Sequence, residues 1–169
     1  MEKNNFLVEF QNDHDWIRKI LNQVLAACFL KDRNQAEERL NKLNAVCGPH
    51  YQFEEEALFA ELLPIFGSEY IDKLFTDHDF VIARTQGLIE LFSVKRSEEP
   101  DFETAVRLLQ SLQLQLVECE SICPKIGSLS TKKTIRLKKA LTEIRMKGLS
   151  LTDWAENIRN REKLKIHKS

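Results

Sequence analysis

The sequence predicts an all-α protein: an up-down-up-down four-helix bundle followed by a basic helical extension. The composition favours helices, since the 169 residues include only 5 Gly and 4 Pro and are 43% hydrophobic. Apolar residues recur at spacings of three and four along four long segments with short connections, as in a helical bundle. The charge changes near residue 130. Residues 131–169 hold 12 basic and 4 acidic residues, a net charge of +8, so residues 1–130 carry −9 of the total of −1. We therefore divide the chain into a bundle over 1–130 and an extension over 131–169.

The apolar pattern places the helices in order. The first is expected over residues 6–30, the third over 69–93 after a capping Ser68, and the fourth over 102–123, ending at Pro124. In the extension, Gly148 is expected to end one helix, and Ser150 to begin a last helix that runs to about residue 164. The fourth helix carries two neighbouring stripes, either of which could face inward. One stripe is Leu108, Leu109, Leu112, Leu116, Cys119 and Cys123, and the other is Leu114, Glu118 and Ile122.

The second helical segment contains Gly48-Pro49, where we expect a kink or break, because proline removes a backbone donor and clashes with the preceding turn. Pro49 would then stand at the start of a new helix. On that helix His50 and Glu54 are four residues apart and share a face. An imidazole and a carboxylate placed in this way can hold one metal ion, or the carboxylate can bridge two. The alternative is a solvated acidic face with one half-buried histidine.

The other histidines decide between these interpretations. Three of the four lie on the predicted inward faces of the first three helices: His14, His50 and His78. His167 lies near the end of the sequence and is expected to have no role. A buried histidine on each of three successive helices, close to buried acids, costs desolvation free energy unless it is paired or bound to a metal. The pattern therefore favours a metal site, and hydrogen-bonded core histidines in a decayed site are the alternative.

Over residues 5–126 the chain resembles the hemerythrin-like (HHE) cation-binding domains. The resemblance rests on His14-Asp15-Trp16-Ile17, on His50-x-x-x-Glu54-Glu55-x-x-Leu58-Phe59, on His78, and on Glu118-Cys119-x-x-Ile122-Cys123-Pro124. It implies that His14 and His50 bind a first metal, that Glu54 and Glu118 bridge, and that His78 binds a second metal. The family motif has a histidine four residues before this glutamate, where the chain has Leu114. The second position therefore lacks one ligand, for which Gln115, Cys119 or Tyr51 are possible substitutes.

The resemblance implies iron, as one or two ions, and ligand type alone also allows zinc or manganese. Metal binding requires neutral histidine and ionised glutamate, so occupancy should fall as the pH drops towards 6. We predict a module that binds or senses oxygen, nitric oxide or redox state. No catalytic base or nucleophile is evident beyond the ligands, so a binding protein is favoured over an enzyme, and an oxidase or peroxidase remains the enzymatic alternative.

The four cysteines are Cys28, Cys47, Cys119 and Cys123. None forms a Cys-x-x-Cys pair, and each lies among apolar residues. We interpret them as reduced core thiols of a cytoplasmic protein rather than as disulfides or zinc ligands. No apolar run approaches the ~18 residues of a membrane span, and no secretory signal is visible.

The basic extension allows a second hypothesis. Its Lys and Arg residues could be a solvated face, could dock on the acidic bundle, or could contact nucleic acid or another anionic partner. A metal-free bundle acting as an interaction protein through residues 131–169 is therefore the alternative function. The segment 147–155 bears a faint likeness to the start of a helix-turn-helix. Trp154 is more naturally a packing residue.

Overall fold

The computed structural model describes residues 2–160, with side chains from residue 6 onward, so His167 lies outside the described part. Every regular element within residues 2–160 is helical, which confirms the all-α prediction. The helices are α1 (Glu2–Phe29), α2 (Arg33–Phe53), α3 (Phe59–Phe66), α4 (Ser68–Phe92), α5 (Phe102–Glu120), α6 (Cys123–Ile126), α7 (Thr131–Lys147) and α8 (Leu151–Asn157). A π-helical turn, Glu54–Leu58, joins α2 to α3. No helix in this part of the chain has the length and apolarity needed to cross a membrane.

The long helices enclose the interior between them. α1 packs against α2 and α5, and α4 packs against the same two helices. Arg33 at the start of α2 donates hydrogen bonds to the carbonyls of Phe92 and Val94, at and just after the end of α4. The start of α2 therefore lies beside the end of α4. Between α5 and α1, the Gln113 side chain donates a hydrogen bond to Asn22 at 2.7 Å.

Helix α2 corrects the prediction of a break at Pro49, since it runs without interruption from Arg33 to Phe53. Packing on both sides of the proline explains why the lost backbone hydrogen bond is tolerated. Cys47 and Tyr51 are both buried in the core. The backbone of residues 149–151 lies directly against Gly48, where a Cβ atom would come within 2.0 Å of the Leu149 carbonyl oxygen. Tertiary packing thus keeps the helix continuous through Pro49, and a kink at this position stays a prediction.

The described part of the basic extension, residues 131–160, packs on the rest of the protein. Leu137, Leu141 and Ile144 of α7 join one apolar cluster, and Leu151 and Trp154 of α8 join another. As predicted, Gly148 ends α7 with a left-handed φ of 62°, and Ser150 caps α8, which is shorter than expected. Four basic residues of α7 form ion pairs with acids of the bundle segment. Lys133 and Arg136 pair with Glu61, Lys138 pairs with Glu9, and Arg145 pairs with Asp13.

Two apolar clusters fill the interior. One includes Ile17, Leu43 and Trp154, and the other contains Phe10, Phe53 and many further aromatic and aliphatic side chains. The ionisable groups described next lie where these two clusters meet, since His14 stands one turn from Phe10 and Ile17 on α1. Their surroundings are therefore apolar on both sides.

Candidate metal centre

Three helices bring their histidines to one buried place. His14 of α1, His50 of α2 and His78 of α4 have exposed fractions of 2%, 2% and 1%, and Glu54 in the π turn is 0% exposed. The inward orientation predicted for the three histidines is confirmed, and Glu54, which shares a face with His50, is buried with them. Buried histidine and glutamate side chains are uncommon, and a protein keeps them only when their polar atoms find partners.

The first group consists of His14, His50 and Glu54, whose candidate ligand atoms all lie within 4.8 Å of one another. The ring centroids of the two histidines are 4.6 Å apart and the rings are nearly perpendicular. His50 Nε2 lies 3.5 Å from Glu54 Oε1. Two imidazoles and one carboxylate therefore face a common point.

The second group consists of Glu54, His78 and Cys119, again with candidate ligand atoms within 4.8 Å of one another. His78 Nε2 lies 3.0 Å from Glu54 Oε2. Since Oε1 faces His50 and Oε2 faces His78, the Glu54 carboxylate stands between the two groups. This is the placement that a bridging carboxylate needs.

Several of the atoms that face these two points lack hydrogen-bond partners. They are His14 Nε2, His50 Nε2 and Glu54 Oε1, whereas Glu54 Oε2 is paired with His78 Nε2 at 3.0 Å. A buried polar atom left without a partner costs about 1–3 kcal/mol, and more if it is charged. A metal ion would satisfy several of these atoms at once, so the donor set fits a metal.

Neighbouring groups orient the histidine rings. His14 Nδ1 lies 3.2 Å from the Phe10 carbonyl oxygen, so Nδ1 carries the proton and Nε2 presents its lone pair to the centre. His78 Nδ1 lies 3.0 Å from Glu55 Oε1. His50 Nδ1 lies 3.6 Å from Asp13 Oδ2. Carbonyl or carboxylate partners of this kind fix the ring orientation of metal-binding histidines.

Glu55 is itself held by a residue that sequence reasoning missed. Arg159, just after α8, donates to both Glu55 oxygens, with the shortest contact at 2.8 Å. Its cation also lies over the Trp154 ring, 5.7 Å from the centroid. The C-terminal segment thus supports His78 through Glu55. No pattern in the sequence signals a contact between residues 104 positions apart.

The π turn explains how two adjacent acids are both buried. In a regular α-helix neighbouring residues point about 100° apart. Here all residues from His50 to Glu55 are buried, and α1, α4, α7 and α8 all pack against α2. The wider turn of the π segment and this surrounding packing bring both Glu54 and Glu55 inside. π turns are frequent at functional sites.

The pKa values of His14 and Glu54 suit a cation at the first group. Burial, and then the nearby charge of His50, lower the pKa of His14 to about 4, so its imidazole is neutral at pH 7. Burial raises the pKa of Glu54, but the charge of His50 and the contact with His78 outweigh this, and the pKa of Glu54 is lowered. Glu54 is therefore an ionised carboxylate.

His78 behaves differently in the protein without metal. Burial lowers its pKa, but contacts with Cys119, Glu54 and Glu55 outweigh burial and raise the pKa of His78 well above its usual value. Metal binding at the second group must therefore displace a proton from His78, which makes it pH-dependent.

The prediction that Glu118 of α5 is a ligand is wrong, because its side chain does not face the centre. Glu118 points outward with a 55% exposed side chain and pairs with Lys73 at 3.1 Å. Leu114, one turn earlier, is also on the surface. The stripe containing Leu112, Leu116 and Cys119 faces inward instead, because it buries more apolar surface. Cys119 therefore stands where the sequence analysis placed Glu118.

Aromatic rings surround the centre. The Phe10 ring stacks on His50 at 5.1 Å, Tyr51 stands edge-on to His78 at 4.6 Å, and Phe59 lies 5.2 Å from His78. A surface cleft between α1 and the end of α5 reaches His14. It is lined by Gln11, Asn12, His14, Asp15, Arg18, Glu120, Cys123 and Pro124. The centre is thus shielded on most sides, and the cleft borders it at the buried His14.

Comparison of the chain with family models, with curated proteins and with solved structures gives no match.

Proposed function

We propose that this is a non-haem iron protein that binds or senses oxygen, nitric oxide or redox state. In this proposal α1, α2, α4 and α5 form an up-down-up-down bundle of the hemerythrin-like type, and the iron lies in its core. The observation that carries the proposal is the convergence of unpartnered buried atoms from His14, His50 and Glu54, beside His78.

The chemistry of the first group favours iron. Two histidines and one carboxylate with open coordination positions suit Fe(II), although zinc and manganese accept the same donors. A small ligand would bind at the open coordination positions of such an ion, and a change of redox state would change the charge of the ion itself. In this proposal a small ligand enters from the cleft that His14 helps to line. The aromatic surroundings exclude bulk water and strengthen electrostatic interactions at the centre.

The test is metal analysis of freshly purified protein, with an absorption spectrum recorded alongside. His50→Ala is expected to remove the metal of the first group. Leu43→Ala is the matched control, since it truncates another buried residue of α2 two turns earlier and should leave the metal content unchanged. The proposal fails if the parent protein takes up no metal after anaerobic loading with Fe(II), or if His50→Ala keeps as much metal as the control.

The alternative function, a metal-free scaffold that binds an anionic partner through residues 131–169, has less support. Lys133, Arg136, Lys138 and Arg145 face acids of the protein itself. Lys132 and Lys147 are exposed and remain open to a partner. This alternative predicts salt-sensitive binding to a polyanion that Lys132→Glu with Lys147→Glu abolishes.

A further inference from the structure

Cys119 differs from an ordinary core thiol because it lies beside other candidate metal ligands. All four cysteines are buried. Within residues 6–160, Cys119 is the cysteine that joins a group of candidate metal ligands, with Sγ within 4.8 Å of donor atoms of both Glu54 and His78. Cys123, one turn further along the chain, is buried as well but belongs to no such group.

The atoms facing Cys119 include a buried ion pair whose proton a metal ion can replace. His78 Nε2 and Glu54 Oε2 lie 3.0 Å apart, and both side chains are buried. Glu55, supported by Arg159, holds the opposite nitrogen of His78. The imidazole is therefore oriented towards Glu54 and Cys119 before any ion arrives.

We propose that Cys119 is a metal ligand, and that Glu54, His78 and Cys119 form a second, thiolate-containing position next to the His14–His50–Glu54 position. This inference rests on the proposed function, because Glu54 is shared. A thiolate, an imidazole and a carboxylate suit a thiophilic divalent ion in tetrahedral geometry, with one position left open. On binding, the ion replaces the Cys119 thiol proton and the proton on His78 Nε2, and both protons leave to solvent. The centre is then chemically unsymmetric, with a nitrogen- and oxygen-bound ion on one side and a sulfur-bound ion on the other.

The test is anaerobic titration of the metal-free full chain with Co²⁺, followed by absorption spectroscopy. Thiolate coordination gives a sulfur-to-cobalt charge-transfer band in the near ultraviolet. The parent protein and Cys123→Ser should both show this band, whereas Cys119→Ser should lose at least about nine-tenths of its intensity. His50→Ala should keep the band while binding less cobalt in total.

The outcomes separate this inference from the proposed function. If the parent binds Co²⁺ without the band, or if Cys119→Ser keeps the band, the thiolate position is refuted while the first position stands. If the parent binds no Co²⁺, both proposals fail. Should Cys119→Ser fail to fold, X-ray absorption of the zinc-loaded parent decides. A sulfur neighbour at about 2.3 Å from zinc supports the inference, and a shell of nitrogen and oxygen alone overturns it.

Discussion

Two glycines inside helices predict stability changes of opposite sign when each is replaced by alanine. Gly87 lies within α4, and a Cβ atom there would meet only Leu108 Cδ1, at 3.7 Å, which is ordinary contact. Alanine is the better helix former by about 0.5–1 kcal/mol. Gly87→Ala should therefore raise the melting temperature by about 1–4 °C for a chain of this size.

Gly48 lies within α2 and behaves in the opposite way. A Cβ atom there would lie 2.0 Å from Leu149 O, 2.5 Å from Ser150 C and 2.7 Å from Leu151 N. These are backbone atoms, which cannot rotate away, so the segment before α8 must move. Overpacking costs about 1–3 kcal/mol, and a backbone clash belongs at the upper end. After subtraction of the helix gain, Gly48→Ala should lower the free energy of unfolding by about 2 kcal/mol and the melting temperature by about 4–8 °C.

The measurement is thermal unfolding of the chelator-treated proteins, followed by circular dichroism at 222 nm, with two-state behaviour checked by a second probe. Chelation matters because a bound metal would add its own stabilisation. The reasoning is refuted if Gly48→Ala melts at or above the temperature of the parent, or if both substitutions shift the melting temperature in the same direction. Since α8 leads to Arg159, Gly48→Ala should also weaken metal binding at His78.

Three further predictions follow from contacts described above or from the same structure. Arg159→Gln leaves the buried Glu55 carboxylate poorly paired, which costs about 3 kcal/mol and should lower the melting temperature by about 6–12 °C. The control is Arg107→Gln, which removes an exposed ion pair and should shift the melting temperature by no more than about 1 °C. Equal shifts in the two variants would contradict the buried pairing. A hydrogen bond from Arg33 lowers the pKa of Glu37, so Glu37→Gln should be less stable to urea than the parent at pH 7. This difference should shrink as the pH falls through the lowered pKa of Glu37, and a pH-independent difference would argue against this assignment. Free metal at about one hundred times its dissociation constant should raise the melting temperature of the parent by about 5–11 °C, and a similar rise in His14→Ala would exclude that ligand.

Helical periodicity was sufficient to find the inward histidines. His14 and His78 each lie in a continuous apolar stripe of a long helix, so burial follows directly from spacing. On α5 the same approach was ambiguous, because two stripes about 100° apart both contained apolar residues. The resemblance to the hemerythrin-like domains favoured the stripe with Glu118, and the structure buries the stripe with Cys119.

Two other features depend on contacts between distant parts of the chain. The break expected at Pro49 follows from local backbone chemistry, and packing against residues 149–151 overrides it. The contact between Arg159 and Glu55 has no local signature, since a basic residue near the end of a basic segment looks like many others. Such contacts require knowledge of how the extension folds back on the bundle segment.

The π turn at Glu54–Leu58 sets which kinds of genetic change this protein can accept. It keeps two groups of buried residues facing the interior, with His50 and Tyr51 before the turn and Phe59 and Leu62 after it. Deleting one residue from the turn would restore α-helical geometry and remove the wider turn that lets the adjacent Glu54 and Glu55 both lie inside. One of the two acids would then leave the interior. Exchange of the exposed Ala60 for another helix-forming residue leaves these buried side chains in place. Homologous proteins that keep this centre should therefore vary at positions such as Ala60 and conserve the number of residues between Glu54 and Leu58.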